Sequence, residues 1–150
     1  MFTPSTTGIS ISHSSNGVSI TGNGINSDHF ASLDIPMPTN YELSVEITGI
    51  IISNKYSAGI SCEGIFCETS GNNLNWGRIV DLGGNVTSTS PILKVGDTLK
   101  FIVNNGVVTC YLNNTQKYQK QADSSNHSGF KIKLYSNRNV TIKNMVITKL

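Results

Sequence analysis

From Thr98 to Asn113 the sequence reads TLKFIVNNGVVTCYLN, two apolar–polar alternations joined by Asn105-Gly106. Asn-Gly is favoured in a two-residue type I′ hairpin turn, because both central positions need a positive φ that Gly adopts freely and Asn tolerates. Once the turn is set, so is the register. Asn104 faces Val107, and pairing outward puts Leu99 opposite Leu112, Phe101 opposite Cys110 and Val103 opposite Val108. All six share one face, while Lys100 with Tyr111 and Ile102 with Thr109 take the other. Turn chemistry and hydrophobic pattern select the same register, and a slip of one residue would turn the apolar set to water.

The same period of two runs through most of the chain. Tyr41, Leu43, Val45, Ile47 and Ile51 alternate with Glu42, Ser44, Glu46 and Thr48, and Ile9 with Ile11, Val18 with Ile20, and Phe130, Ile132 and Leu134 repeat the pattern. Further strands are predicted over Asp28 to Leu33, Ala58 to Glu63, Ile65 to Glu68, Trp76 to Leu82 and Val140 to Thr148. The last changes phase between Val140/Ile142 and Met145/Ile147, which predicts a bulge or a crossing between sheets near Asn144. No stretch has a helical period. Turn signals at Asn16-Gly17, Gly22 to Gly24, Pro36 to Asn40, Ser70 to Asn75, Gly83-Gly84 and Gly96-Asp97 divide the strands at sandwich-like spacing. The expected fold is all-β, a two-sheet antiparallel sandwich or jelly roll. With 150 residues, no linker and no internal repeat, residues 1–150 read as one domain.

Charged residues make up only 13% of the chain, so Ser, Thr, Asn and Gly must cover much of the surface. Such a coat suits an extracellular or particle-borne domain. No run approaches the roughly 18 apolar residues of a membrane-spanning helix, and Met1 to Ser15 lacks the basic start and continuous apolar stretch of a Sec signal peptide. The expected setting is a virion or cell surface, reached from the cytoplasm by lysis or a dedicated secretion route. Cys62, Cys67 and Cys110 are odd in number and form no zinc pattern with His13, His29 or His127, so they read as reduced core thiols. Two basic and seven acidic side chains precede residue 94, net −5, and nine basic against two acidic follow, net +7. The C-terminal strands are therefore expected to carry a mildly basic face.

Three segments resemble the concanavalin A-like, laminin G-type sandwich domains: Tyr41 to Gly49 (YELSVEITG), the Gly96-Asp97-Thr98-Leu99 lead into the Asn-Gly hairpin ending Tyr111-Leu112-Asn113, and Gly129-Phe130 followed by Val140 to Asn144 (VTIKN). The resemblance implies a sandwich that binds glycans or surface proteins, sometimes with calcium. A minority of such domains cleave glycans through a Glu-x-Asp-x-x-Glu strand. Here Glu42 and Glu46 are four apart with Ser44 between them, so that pattern is missing.

Glycoside hydrolysis needs two carboxyl groups about 5–10 Å apart, and Glu42, Glu46, Glu63 and Glu68 are the residues that would supply them. A solvated strand face is the ordinary explanation for them. No G-x-S-x-G elbow exists, and Gly22-Asn23-Gly24 is a turn rather than a dinucleotide fingerprint. Asp28, Asp34 and Asp81 offer oxygen atoms for calcium but no EF-type loop, so no cofactor is expected. The Asn-x-Ser/Thr triplets at Asn85, Asn113, Asn126 and Asn139 follow from composition.

The most suggestive cluster is Asn72, Asn73, Asn75, Trp76, Arg78 and Asp81, which sets the only Trp beside amide and charged groups. A sugar presents an apolar C–H face and a rim of hydroxyls, and such a cluster supplies a partner for each. A Trp closing the end of the core fits the same residues, and alternation leaves open whether Trp76, Arg78 and Val80 or Gly77, Ile79 and Asp81 turn inward. A second candidate is an outward face of Lys100, Tyr111, Lys131, Lys133 and Tyr135, suited to an anionic polymer. Single-stranded nucleic acid is an unlikely occupant at a net charge of +2. The expected function is non-enzymatic recognition of cell-surface carbohydrate, as on a phage tail, and the alternative is a structural or adhesive domain making protein contacts within a particle or homo-oligomer.

Overall fold

The computed structural model describes residues 1–4, 8–22, 28–51, 58–70, 76–80, 93–122, 128–135 and 138–150, with the side chains at 28, 51, 70, 76–80 and 135 outside that description. Alternating sequence becomes paired strand throughout: β1 (Phe2–Pro4), β2 (Ile9–Ser14), β3 (Gly17–Gly22), β4 (Asp28–Leu33), β5 (Tyr41–Ile51), β6 (Ala58–Cys62), β7 (Ile65–Ser70), β8 (Trp76–Val80), β9 (Thr98–Asn104), β10 (Val107–Leu112), β11 (Thr115–Gln121), β12 (Phe130–Tyr135) and β13 (Asn139–Lys149). They form two antiparallel sheets. One has the order β1-β4-β12-β6-β7-β8 and the other β11-β10-β9-β5-β13-β3-β2. This is a jelly-roll β-sandwich, and no helix occurs among the described residues. None is therefore long and apolar enough to cross a membrane.

The β9–β10 hairpin has the register that its turn dictates, with Leu99↔Leu112, Phe101↔Cys110 and Val103↔Val108. Asn105 and Gly106 take φ values of 50° and 75°, as a type I′ turn requires. The phase change in β13 is a bulge: its pairing with β5 shifts between Lys143 and Val146, and Asn144 sits at φ 54°. Gly17 supports the neighbouring strand, since a Cβ there would run into the Ile142 carbonyl oxygen.

Two strands, β1 and β11, carry no alternation that marks them. In β11, TQKYQKQ, only Tyr118 packs against the core. It forms because the Asn113-Asn114 turn, with φ 49° and 64°, folds it back on β10. Lys117 and Lys120 then guard an edge that needs no second apolar face.

The inner faces meet in one cluster. Phe101 of the seven-stranded sheet touches Phe130 of the six-stranded sheet edge-on, ring centroids 6.3 Å apart at 74°, and Phe2 approaches Phe130 at 6.0 Å. Tyr41, Leu43, Val45 and Ile47 pack from β5, and Ile60, Ile132 and Leu134 from the other sheet. Cys62, Cys67 and Cys110 are free thiols buried in this core, as the sequence indicated.

The basic C-terminal half does not gather on one face. Strand order puts β12 in the six-stranded sheet and β9, β10, β11 and β13 in the seven-stranded one. Jelly-roll crossovers interleave early and late strands, which brings basic residues beside the acidic ones of the first half.

Candidate functional site

Each sheet has an outer face, turned away from its partner, and the two differ in kind. On the seven-stranded sheet Lys100 lies 4.7 Å over the Tyr111 ring, Gln119 donates to Thr109 Oγ1 at 2.8 Å, and Asn144 donates to Glu46 at 2.9 Å. Most of these side chains are half-buried or exposed. It is an ordinary solvated strand face.

On the six-stranded sheet the outer phase is Ser61 of β6, Phe66 and Glu68 of β7, Lys131 and Lys133 of β12, and Phe30 and Ser32 of β4. The register lays them in two rows. Phe30, Lys133, Gly59, Glu68 and Arg78 are successive cross-strand partners in one, and Ser32, Lys131, Ser61, Phe66 and Val80 in the other. Although they face away from the inter-sheet core, Ser61, Phe66 and Glu68 are only 0%, 7% and 2% exposed, and Phe66 is no part of the core cluster.

The centre of this face is an ion pair. Lys133 Nζ meets Glu68 Oε1 at 2.6 Å, with side-chain exposures of 14% and 2%. The two residues stand on strands separated by β6, roughly 9–10 Å apart at usual strand spacing, and the residue between them is Gly59. A Cβ on Gly59 would lie 2.5 Å from the Cys67 carbonyl oxygen and 3.1 Å from Glu68 Cγ, so its absence leaves the Glu68 side chain room to reach Lys133. Lys133 Nζ is also 5.6 Å from the Phe66 ring centroid, where the ring's negative face adds to the attraction. Beside this pair, Ser61 Oγ is buried and finds no hydrogen-bond partner among the described residues. The result is a layer in which Glu68 and Phe66 hold the partly exposed ammonium of Lys133 in place. A buried charge is tolerated only when it is so paired.

At the turn between β6 and β7, the Tyr41 hydroxyl donates to Glu63 Oε1 at 2.8 Å and lies 3.4 Å from Cys62 Sγ. Burial, followed by the nearby Cys62 and Glu63, pushes the Tyr41 phenol far above its ordinary range, and burial likewise raises the Cys62 thiol. Both groups are therefore neutral. This clasp ties β5 of one sheet to the β6–β7 turn of the other.

Of the loop cluster expected to bind sugar, Asn72, Asn73, Asn75 and Asp81 lie outside the described residues. Trp76 and Arg78 are on β8, as cross-strand partners of Ser70 and Glu68. In register, Trp76, Arg78 and Val80 pair with Ser70, Glu68 and Phe66, and Gly77 and Ile79 with Thr69 and Cys67; the side chains of residues 76–80, and so the choice of inward set, lie outside the described residues. The second expected set is divided. Lys131, Lys133 and Tyr135 are on β12 of the six-stranded sheet, and Lys100 and Tyr111 on β9 and β10 of the other, so the five cannot form one surface. Alternation gives each residue its phase but not its sheet. Ser61, Phe66, Gly59 and Phe30 were not singled out from sequence, and nothing in the local pattern distinguishes an outer phase that is covered from one that faces water.

The four glutamates do not assemble. Glu42 and Glu46 share β5 of the seven-stranded sheet, their backbones about 13 Å apart at four residues of strand rise, and Glu46 accepts a hydrogen bond from Asn144. Glu63 and Glu68 belong to the six-stranded side and are engaged with Tyr41 and Lys133. Among the described residues no group of three or more His, Cys, Asp or Glu could hold a metal.

No family model matches the sequence, and no curated protein matches it. Solved structures do. The chain is similar to the carbohydrate binding module CBM66 from Bacillus subtilis, with a TM-score of 0.63 at 10% identity over 99% of this chain and 95% of that one. It is also similar to a Bacillus subtilis protein of unknown function with a galectin-like fold, TM-score 0.61 at 8% identity over 99% and 88%. The alginate lyase from Corynebacterium sp. has a TM-score of 0.61 at 12% identity over 93% and 81%. At these identities the likeness is one of fold.

Proposed function

We propose that this chain is a non-enzymatic, lectin-like module of the concanavalin A-like, laminin G-type class that binds carbohydrate on the outer face of its six-stranded sheet. The observation that carries the reading is Lys133, a partly exposed cation held by a buried carboxylate and an aromatic ring on a face the core does not use. Half-buried Phe30, Ser32 and Lys131 stand beside it in register, which brings an aromatic ring, a hydroxyl and two ammonium groups together on this face. Those are the complements of a sugar's C–H face and hydroxyl rim. The row continues in register to Arg78 on β8, two residues from Trp76. Similarity in fold to a carbohydrate binding module supports the reading.

The domain works on a phage tail, another virion part or a microbial surface, where its partners are host glycans and neighbouring subunits. The Asn/Ser/Thr/Gly coat and the three free thiols support that setting. A glycan microarray probed with the wild-type chain, Lys131→Ala and Trp76→Ala tests the function. Binding by the wild type that weakens at least tenfold in the folded variants is the expected result. A silent array together with an obligate oligomer in light scattering would move the assignment to a structural role, and release of sugar ends from a polysaccharide would make the chain an enzyme.

A further inference from the structure

We propose that Cys67 and Cys110 are an oxidation site, a thiol pair that closes into a disulfide joining the two sheets. Cys67 lies on β7 of the six-stranded sheet and Cys110 on β10 of the seven-stranded one, and their sulfurs meet across the core at 3.4 Å. Both are free and fully buried. A disulfide needs its sulfurs about 2.05 Å apart, so roughly 1.4 Å must close, by turning of the two side chains and local approach of the two strands, since facing sheets usually stand about 10 Å apart. β10 is already bent at this point, because its register with β11 shifts between Cys110 and Tyr111.

Three thiols allow three pairings, and the geometry selects one. Cys62 faces Ile65 while Cys67 faces Ile60, so the two are diagonal neighbours on adjacent strands. Diagonal Cα atoms are about 7–8 Å apart, and it is Cys67 and Cys110 whose sulfurs are in contact, at 3.4 Å. The Cys62 sulfur lies instead against the Tyr41 hydroxyl at 3.4 Å.

Glutathione disulfide is a sufficient oxidant. One protein thiolate attacks it and expels a glutathione thiolate, leaving a mixed disulfide. The second protein thiolate then attacks the protein-side sulfur, which forms the Cys67–Cys110 bond and expels the second glutathione thiolate. The two protons lost by the cysteines end on the two glutathiones. A closed core excludes so large a reagent, so the bond forms as the chain folds or opens, and its state records the surroundings in which folding took place. Cys67 lies between Phe66 and Glu68 in sequence, so the bond fixes β7 directly behind the layer that supports Lys133. The pairing itself depends only on the core and stands apart from any ligand.

The test is to unfold the whole chain in urea and refold it in a glutathione redox buffer, with a parallel sample kept in dithiothreitol. The expected product is one species lighter by two hydrogens, with the Cys67 and Cys110 peptides linked and only Cys62 open to alkylation after denaturation. Closing a 43-residue separation is expected to raise the Tm by on the order of 10 °C over the reduced sample. Cys62→Ala is expected to give the same product. A chain that stays fully alkylatable, a linkage through Cys62, or an oxidised form that melts below the reduced one would overturn the assignment.

Discussion

Lys133 is bonded to Glu68 from two strands away, with a glycine rather than a side chain on the strand between them. That arrangement makes one outer face of this sandwich chemically distinct from the other, and it makes the pair sensitive to changes at Lys133, Glu68 or the intervening Gly59.

Lys133→Met leaves the Glu68 carboxylate buried without its cation. Breaking a buried pair by removing one partner costs about 3 kcal/mol or more, whereas replacing both with apolar groups of similar size is close to neutral. Urea unfolding is expected to show a large loss for Lys133→Met and recovery of most of it in Lys133→Met/Glu68→Met. Equal loss in both would mean that the pair does not act as a unit.

Gly59→Ala places a methyl 2.5 Å from the Cys67 carbonyl oxygen and 3.1 Å from Glu68 Cγ. Neither the backbone atom nor the paired carboxylate can move freely. A destabilisation of about 1–3 kcal/mol is expected from overpacking, accompanied by a shift in the Lys133 side-chain resonances as Glu68 is displaced. An unchanged urea midpoint would show that β6 and β7 lie farther apart than described.

Stability should fall on the alkaline side. Burial raises the Cys62 thiol, the hydrogen bond to Cys110 and then burial raise Cys67, and burial raises Tyr41. In each case the folded chain keeps the proton that the unfolded chain releases. The stabilisation is whole below the unfolded values, near pH 8.5–9 for thiols and 10 for the phenol, and is lost as pH climbs above them. Each group contributes a slope of about 1.4 kcal/mol per pH unit. Urea midpoints from pH 7 to 10.5 are expected to be flat and then to drop, with a shallower drop in Cys62→Ala. A level profile to pH 10.5 would contradict the burial of these groups.

The sandwich was legible in the sequence wherever one face is apolar and a turn fixes the register. Asn105-Gly106 and the alternation on either side of it determine the β9–β10 pairing outright, and the change of phase after Ile142 marks the bulge at Asn144. β11 was not legible, because an edge strand with one apolar residue has no period to detect. The site was legible only in fragments. Lys131, Lys133 and Arg78 were singled out, yet alternation cannot say that Lys133 and Glu68, 65 residues apart, meet over Gly59, or that Lys100 and Tyr111 belong to the opposite sheet. Those relations come from strand order, which depends on long-range pairing that local pattern does not encode.

Carbohydrate is proposed to bind the outer face of the six-stranded sheet. Solution NMR of the labelled chain, titrated with a glycan selected on the array, tests it most directly. The expected result is a set of shift changes confined to Phe30, Ser32, Lys131, Lys133 and their neighbours on β4, β6, β7, β8 and β12, with Ser44, Lys100 and Tyr111 unmoved. Changes centred on β5, β9 and β10 instead, with Lys131 and Lys133 silent, would contradict it.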